Sequence, residues 1–120
     1  MTPSFTILVV EDEPLIGMTL VDMLEDMGHR AVEAFSAGEA LERFAAEPAI
    51  DIVITDLGLP DRPGDALARD LRARRPGLPI IFASGASPNA RTVVPGAAHL
   101  SKPFRMEDLR AVIGAVTAAA

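Results

Sequence analysis

The chain has 120 residues, the length of one small domain, and 49% of them are hydrophobic, which is enough to form a core. Its formal net charge of −6 argues against general nucleic-acid binding, which needs a basic surface to replace counterions. The chain has no cysteine, which excludes disulfides and thiolate metal sites. It has no leader pattern, and its apolar runs are too short to cross a membrane, so we expect a cytoplasmic protein.

Short apolar runs alternate with helical patterns along the first half of the chain. Residues 5–10 are apolar, rich in β-branched side chains and unbroken, which is typical of a strand buried on both faces. Pro14 then fits the first turn of an amphipathic helix. A second strand is predicted over residues 30–35. Ser36 and Glu39 follow it with the spacing of a capping box, which predicts the start of a second helix.

The second half continues this alternation. Strands are predicted over residues 51–56, 79–83 and 97–100, and helices over residues 66–75 and from Met106 onwards.

The stretch between the fourth and fifth strands, residues 84–96, contains two prolines and two glycines. These residues disfavour a long helix, so we expect the fourth helix to be short or irregular. Five strands that alternate with helices predict an α/β fold, with a doubly wound parallel sheet covered on both faces. We expect residues 1–120 to form one domain, with no effector domain.

Polar residues follow four of the five predicted strands. Glu11 and Asp12 follow the first strand, Asp56 ends the third, Ser84 follows the fourth, and Lys102 comes shortly after the fifth. Each alone has an ordinary explanation as a helix cap, a turn former or a solvated charge. Because the carboxyl ends of parallel strands meet at one edge of the sheet, we expect the five side chains to form a site there.

The chemistry of this edge indicates phosphoryl transfer. Three neighbouring carboxylates repel one another unless a cation lies between them. Oxygen ligands without histidine or cysteine suit Mg²⁺, or the similar ion Mn²⁺. A carboxylate nucleophile, a hard metal ion, a lysine and a hydroxyl group are the parts that phosphoryl transfer requires.

Four motifs cover these strand ends in order: residues 7–14 (Ile-Leu-Val-Val-Glu-Asp-Glu-Pro), 51–56 (Asp-Ile-Val-Ile-Thr-Asp), 59–60 (Leu-Pro) and 101–104 (Ser-Lys-Pro-Phe). Together they resemble the signature of response-regulator receiver domains of two-component systems, over essentially the whole chain. The resemblance implies a flavodoxin-like (βα)5 fold with strand order 2-1-3-4-5.

The resemblance also implies roles for the polar residues. Asp56 would be the phosphoacceptor, Lys102 would pair with a phosphoryl oxygen, and Ser84 would supply the hydroxyl that follows the phosphoryl group. The donor would be a histidine kinase or a histidine phosphotransfer protein. Because the prolines and glycines after Ser84 leave few helical hydrogen bonds to resist rearrangement, we expect a downstream protein partner to contact residues 84–103 and the last helix. Such a domain catalyses only its own phosphorylation and dephosphorylation, as a single-domain regulator or as the receiver of a hybrid histidine kinase.

The implied metal site combines carboxylates with one backbone group. Asp12 and Asp56 would bind Mg²⁺ or Mn²⁺ directly, Glu11 would act largely through water, and the backbone carbonyl of Gly58 would complete the protein ligands.

Two features depart from the usual receiver pattern. His99 occupies the position on the fifth strand where most receivers have an aromatic residue, and we expect it to be a partly exposed strand residue rather than a titrating switch. Residues 79–85 are similar to the Phe-Ala-Thr-Gly motif of the FAT GUY regulators, which also lack the aromatic residue.

Three other functions fit the same fold class. A flavodoxin-like redox protein normally has a hydroxyl-rich loop after the first strand, where this chain has Glu11 and Asp12. An aspartate-nucleophile phosphatase needs a second aspartate two residues after the first, where Gly58 follows Asp56. A degenerate receiver, which binds partners without being phosphorylated, is the closest alternative.

Overall fold

The computed structural model describes residues 4–85 and 94–117, which contain five strands and four helices. The strands are β1 (Thr6–Val10), β2 (Arg30–Ala34), β3 (Ile52–Thr55), β4 (Ile80–Ser84) and β5 (Ala98–Ser101). The helices are α1 (Pro14–Asp26), α2 (Ala37–Ala46), α3 (Gly64–Arg74) and α4 (Met106–Thr117).

The five strands form one parallel sheet in the order β2-β1-β3-β4-β5, which confirms the expected topology. Strand β1 lies between β2 and β3, with Val10 in register with both Ala34 and Thr55. The chain order reverses at β1 and β3, so the carboxyl ends of these two strands border the crevice where doubly wound folds place their working sites.

Successive residues of each strand pack on opposite faces of the sheet, so the core has two halves. One half joins the sheet to α2 and α3, and the other joins it to α1 and α4. The strand residues of the first half are Leu8, Val10, Ala34, Val53, Ile80 and Phe82. Those of the second half are Ile7, Val9, Ile52, Ile54, Ile81, Ala83 and Leu100. Helices therefore cover both faces, as the unbroken apolar runs predicted.

The strand ends agree with the predictions to within one residue, and two helices differ in detail. Helix α2 is capped by Ser36, whose Oγ accepts a hydrogen bond from the Glu39 N–H at 3.1 Å. However, the Glu39 carboxylate accepts from the N–H of Phe35, at 2.7 Å, one residue earlier than in a standard capping box. Helix α3 begins at Gly64, two residues before the predicted start. The predicted irregular fourth helix lies largely outside the described residues.

Within residues 4–85 and 94–117, none of the helices has the length and apolar character that crossing a membrane requires.

Candidate functional site

Three carboxylates meet at the carboxyl edge of the sheet. Glu11 and Asp12 directly follow β1, and Asp56 directly follows β3. The parallel pairing of β1 with β3 brings these strand ends to the same level. One carboxylate oxygen from each of the three residues lies within 4.8 Å of the other two. Glu11 is buried, Asp56 is partly buried, and Asp12 is exposed at the mouth of the cluster.

Lys102 directly follows β5 and contacts this cluster. Its Nζ lies 2.6 Å from Glu11 Oε1 and 3.2 Å from Asp56 Oδ2. Its backbone N–H donates to the carbonyl of Ser84 at 2.9 Å, which fixes the start of the loop against β4. The peptide bond to Pro103 is cis. Strand order had indicated that Lys102 lies near the carboxylates, but not that it bridges two of them.

Burial and charge act in opposite directions on this group of side chains. Burial raises the pKa of Glu11, although hydrogen bonds from Lys102 and from the Glu13 N–H, at 3.2 Å, partly oppose the rise. Burial alone would lower the pKa of Lys102, but its hydrogen bonds to Glu11 and Asp56 outweigh that effect and raise it. Lys102 therefore remains charged at neutral pH. One ammonium group faces three carboxylates, so the cluster can attract a further cation.

The donor set fits a hard divalent cation. Every side-chain ligand in the cluster is a carboxylate oxygen, which suits Mg²⁺ or Mn²⁺ rather than a metal that prefers nitrogen or sulfur. Gly58 lies beside the cluster on an exposed stretch, and its N–H donates to Asp56 Oδ1 at 3.3 Å. Gly58 also forms an isolated backbone bridge with Pro63, so the loop that carries it folds back on itself.

Ser84 ends β4 and lies at the same edge. Thr55 of β3 pairs with Phe82 of β4, so Ser84, two residues further on, lies just past the level of Asp56. Ser84 therefore lies at the same edge of the sheet as Asp56. It is 6% exposed.

His99 lies in the middle of β5 and is partly exposed, as expected. Its ring centre is 6.3 Å from that of Phe82. Both ring nitrogens are buried and have no hydrogen-bond partner among residues 4–85 and 94–117.

Gly64 also belongs to the site, although the sequence predicted only that it lies in the loop before the third helix. Its N–H donates to the carbonyl of Leu57 at 2.8 Å, and α3 starts directly against the backbone of Asp56. A Cβ built on Gly64 would overlap the carbonyl oxygen of Asp56. The Pro63-Gly64 pair was the visible signal, but the close approach of two backbone segments depends on tertiary packing.

The comparison with known proteins agrees with this geometry. Residues 7–114 match the family described as response regulator receiver domain. The chain is 36% identical over 117 residues to the sensor kinase CckA of Brucella abortus, which covers 92% of this chain and 12% of CckA. A response regulator receiver protein from Sinorhizobium medicae has a TM-score of 0.89 and 29% identity, over 97% of this chain and 96% of that one. The response regulator TrrA of Thermotoga maritima, solved in complex with Mg²⁺-BeF, has a TM-score of 0.81 and 26% identity, over 93% and 98%.

The chain spans between 12% and 50% of the length of the curated relatives that it matches. The family match, in contrast, begins within β1 and ends within α4, so it includes nearly the whole sheet and the whole carboxylate cluster. The chain therefore belongs to the response regulator receiver domains of two-component signalling.

Proposed function

We propose that this domain accepts a phosphoryl group on Asp56 and transmits the signal through protein contacts. The donor would be a phosphohistidine of a histidine kinase or a histidine phosphotransfer protein. The observation that carries the proposal is the contact of Asp56 with Lys102 inside a cluster that also holds Glu11 and Asp12. Asp56 lies between the ammonium group of Lys102 and two carboxylates that can attract a divalent cation. Positive charge on both sides would stabilise an anionic phosphoryl group on Asp56.

The residues of the site have separable roles in this proposal. An Asp56 carboxylate oxygen attacks phosphorus, so a P–O bond forms as the P–N bond of the phosphohistidine breaks. Lys102 contacts Asp56 Oδ2 before the reaction. After the transfer it pairs with an oxygen of the phosphoryl group instead. The Ser84 hydroxyl donates to another phosphoryl oxygen. The Gly58 N–H holds Asp56 Oδ1, which leaves the other oxygen for the reaction.

Four groups would hold the divalent ion in this proposal. Asp12, Asp56 and the Gly58 carbonyl would bind it directly, and Glu11 would act largely through water, because Glu11 is buried and already paired with Lys102. When bound, Mg²⁺ neutralises charge on the transferring oxygens. The similarity to TrrA, which was solved with Mg²⁺-BeF, supports this assignment.

The proposal is tested by intact mass spectrometry after incubation with acetyl phosphate and Mg²⁺. We expect the wild type to gain about 80 Da, the mass of one phosphoryl group, and to lose it in hydroxylamine. The Asp56→Asn variant and the wild type in excess chelator should gain nothing. Asp70→Asn, which changes a partly exposed aspartate of α3 that pairs with Arg62, should behave as the wild type. A wild type that stays unmodified would favour a receiver that binds partners without phosphorylation.

The phosphodonor has a suitable docking surface beside the site. An apolar groove lies between α1 and the loop after β5, with Leu15 79% exposed at its rim and Met18, 56% exposed, nearby on α1. Its lining residues are Leu15, Ile16, Thr19, Met23, Lys102, Pro103 and Phe104. Because Lys102 belongs to both the groove and the carboxylate cluster, a protein docked here would bring its phosphohistidine close to Asp56. Downstream partners would instead contact residues 84–103 and α4.

We expect Leu15→Glu to slow phosphoryl transfer from a phosphorylated histidine kinase by about tenfold, because a charge in the groove opposes apolar docking. The rate with acetyl phosphate should be unchanged, because that small donor needs no docking surface. Phe35→Glu is the matched control, since Phe35 is also an exposed apolar residue, at 44%, but does not line the groove. Equal slowing with both donors would contradict this docking site.

A further inference from the structure

Asp61 connects the loop beside the phosphoacceptor to a different part of the fold. It lies in the segment 57–63 between β3 and α3, which also carries Gly58. Its Oδ1 accepts a hydrogen bond from the N–H of Ala37 and its Oδ2 accepts one from the N–H of Gly38, each at 2.9 Å. These donors belong to the first turn of α2, where N–H groups have no acceptor within the helix. One side chain therefore ties this loop to α2.

Backbone contacts close the base of this loop, and Leu57 and Leu59 pack against the half of the core that includes α2. The Gly64 N–H closes the base through the carbonyl of Leu57, and Gly58 pairs with Pro63 across the loop. Arg62 pairs with Asp70, but Asp70 lies on α3, the helix that the loop enters. In the described part of the chain, Asp61 is the loop residue whose side chain forms hydrogen bonds with α2.

Helix α2 does not need Asp61 in order to begin. Ser36 already caps it through the Glu39 N–H, and Glu39 in turn holds the N–H of Phe35. Helix α2 is also anchored to the core, because Ala37 is fully buried. The helix is thus a support that does not depend on this contact for its own start.

The ionised form of Asp61 is favoured at this position. Hydrogen bonds from the N–H groups of Gly38 and Ala37 lower its pKa, so the carboxylate is charged at neutral pH. A negative charge at the start of α2 also interacts favourably with the helix dipole.

We infer that Asp61 is a positioning residue for the phosphoacceptor site: by tying the loop tip to α2, it holds Gly58 where its carbonyl can bind the metal ion. This inference rests on the proposed function, because it assumes that Gly58 is a metal ligand beside Asp56. Groups that orient a metal ligand without touching the metal influence affinity strongly.

The test compares Asp61→Ala with Ser36→Ala, because each variant removes a cap from α2 but only the first releases the loop. Calorimetric titration with MgCl₂ should show affinity weakened about tenfold in Asp61→Ala. Affinity in Ser36→Ala should stay within about twofold of the wild type. Asp61→Asn has one accepting oxygen instead of two, so its affinity should fall between those of the wild type and Asp61→Ala. In chelator, amide hydrogen exchange of residues 57–62 should be faster in Asp61→Ala and unchanged in Ser36→Ala.

Two results would overturn the inference alone: Asp61→Ala binding Mg²⁺ as the wild type does, or Ser36→Ala losing as much affinity as Asp61→Ala. The second result would show that Asp61 acts only through the stability of α2. A wild type that binds no Mg²⁺ would instead contradict the proposed function and, with it, this inference.

Discussion

Gly64→Ala should destabilise the domain by about 3 kcal/mol or more, or prevent it from folding. The added Cβ would overlap the carbonyl oxygen of Asp56 and lie 2.9 Å from both the Asp56 carbonyl carbon and the Leu57 Cα. All of these are backbone atoms, so no side-chain rotation can relieve the overlap. The start of α3 would have to move away from the strand end that carries Asp56. Urea unfolding, followed by circular dichroism, measures the loss directly.

Gly114→Ala is the matched control for this prediction. Gly114 lies inside α4, and among the described residues a Cβ there would meet no atom within 4 Å beyond the backbone of its own helix. Alanine should therefore raise stability slightly, by about 0.5–1 kcal/mol, because glycine is the poorer helix former. If Gly64→Ala unfolded at the same urea concentration as the wild type, the backbone contact at Asp56 would not be a constraint on the fold.

Lys102→Met should lower the stability of the metal-free domain by about 2 kcal/mol at pH 8 and by less at pH 5. The change leaves the Glu11 carboxylate, 4% exposed, without its cation. Removing one partner of a buried ion pair costs about 3–5 kcal/mol of stability. We expect a smaller loss here because the Lys102 side chain is 18% exposed, so water can partly solvate the site.

The pH dependence follows from Glu11. Burial already raises its pKa, and removing Lys102 removes the hydrogen bond that opposes this rise. The folded variant then holds a proton on Glu11 to a higher pH than the unfolded chain does. Its stability is therefore greatest at low pH and is lost as the pH rises through the folded-state pKa.

This prediction is checked by urea unfolding at pH 5, 7 and 8 in the presence of chelator. The double variant Glu11→Gln with Lys102→Met serves as the control, because it has no carboxylate left to titrate at this position. Relative to Glu11→Gln alone, it should show the same stability difference at all three pH values. A loss in Lys102→Met that is larger at pH 5 than at pH 8 would show that Glu11 does not depend on Lys102.

Much of the fold could be predicted from local patterns. The unbroken apolar runs predicted β1 and β3. Both strands are buried on two faces, so apolar and polar residues do not alternate along them. Ser36 and Glu39 marked the start of α2 because a cap is a local interaction between residues three apart. The position of Glu11, Asp12 and Asp56 followed from parallel topology, since parallel strands deliver their carboxyl ends to one edge.

The remaining details depend on contacts between distant segments. Lys102 pairs with Glu11 across a separation of 91 residues. No local sequence pattern determines which of the carboxylates it contacts. The early start of α3 at Gly64 reflects its close approach to Asp56, which is a property of packing. Asp61 has the sequence context of an ordinary turn residue, and only the placement of α2 shows what its carboxylate binds.

The bridge that Lys102 makes between Glu11 and Asp56 has a consequence for how the domain responds to its surroundings. An ammonium group carried by the chain has a high effective concentration at the carboxylates, whatever the composition of the solution. Zinc fingers, in contrast, fold only when they bind a metal ion from solution, so chelators denature them. Here the chain supplies its own first counter-charge. We therefore expect the domain to fold without a dissolved ion, while an ion that binds only the folded state would add to its stability. If the proposed function is correct, phosphorylation would depend on free Mg²⁺ far more steeply than folding does.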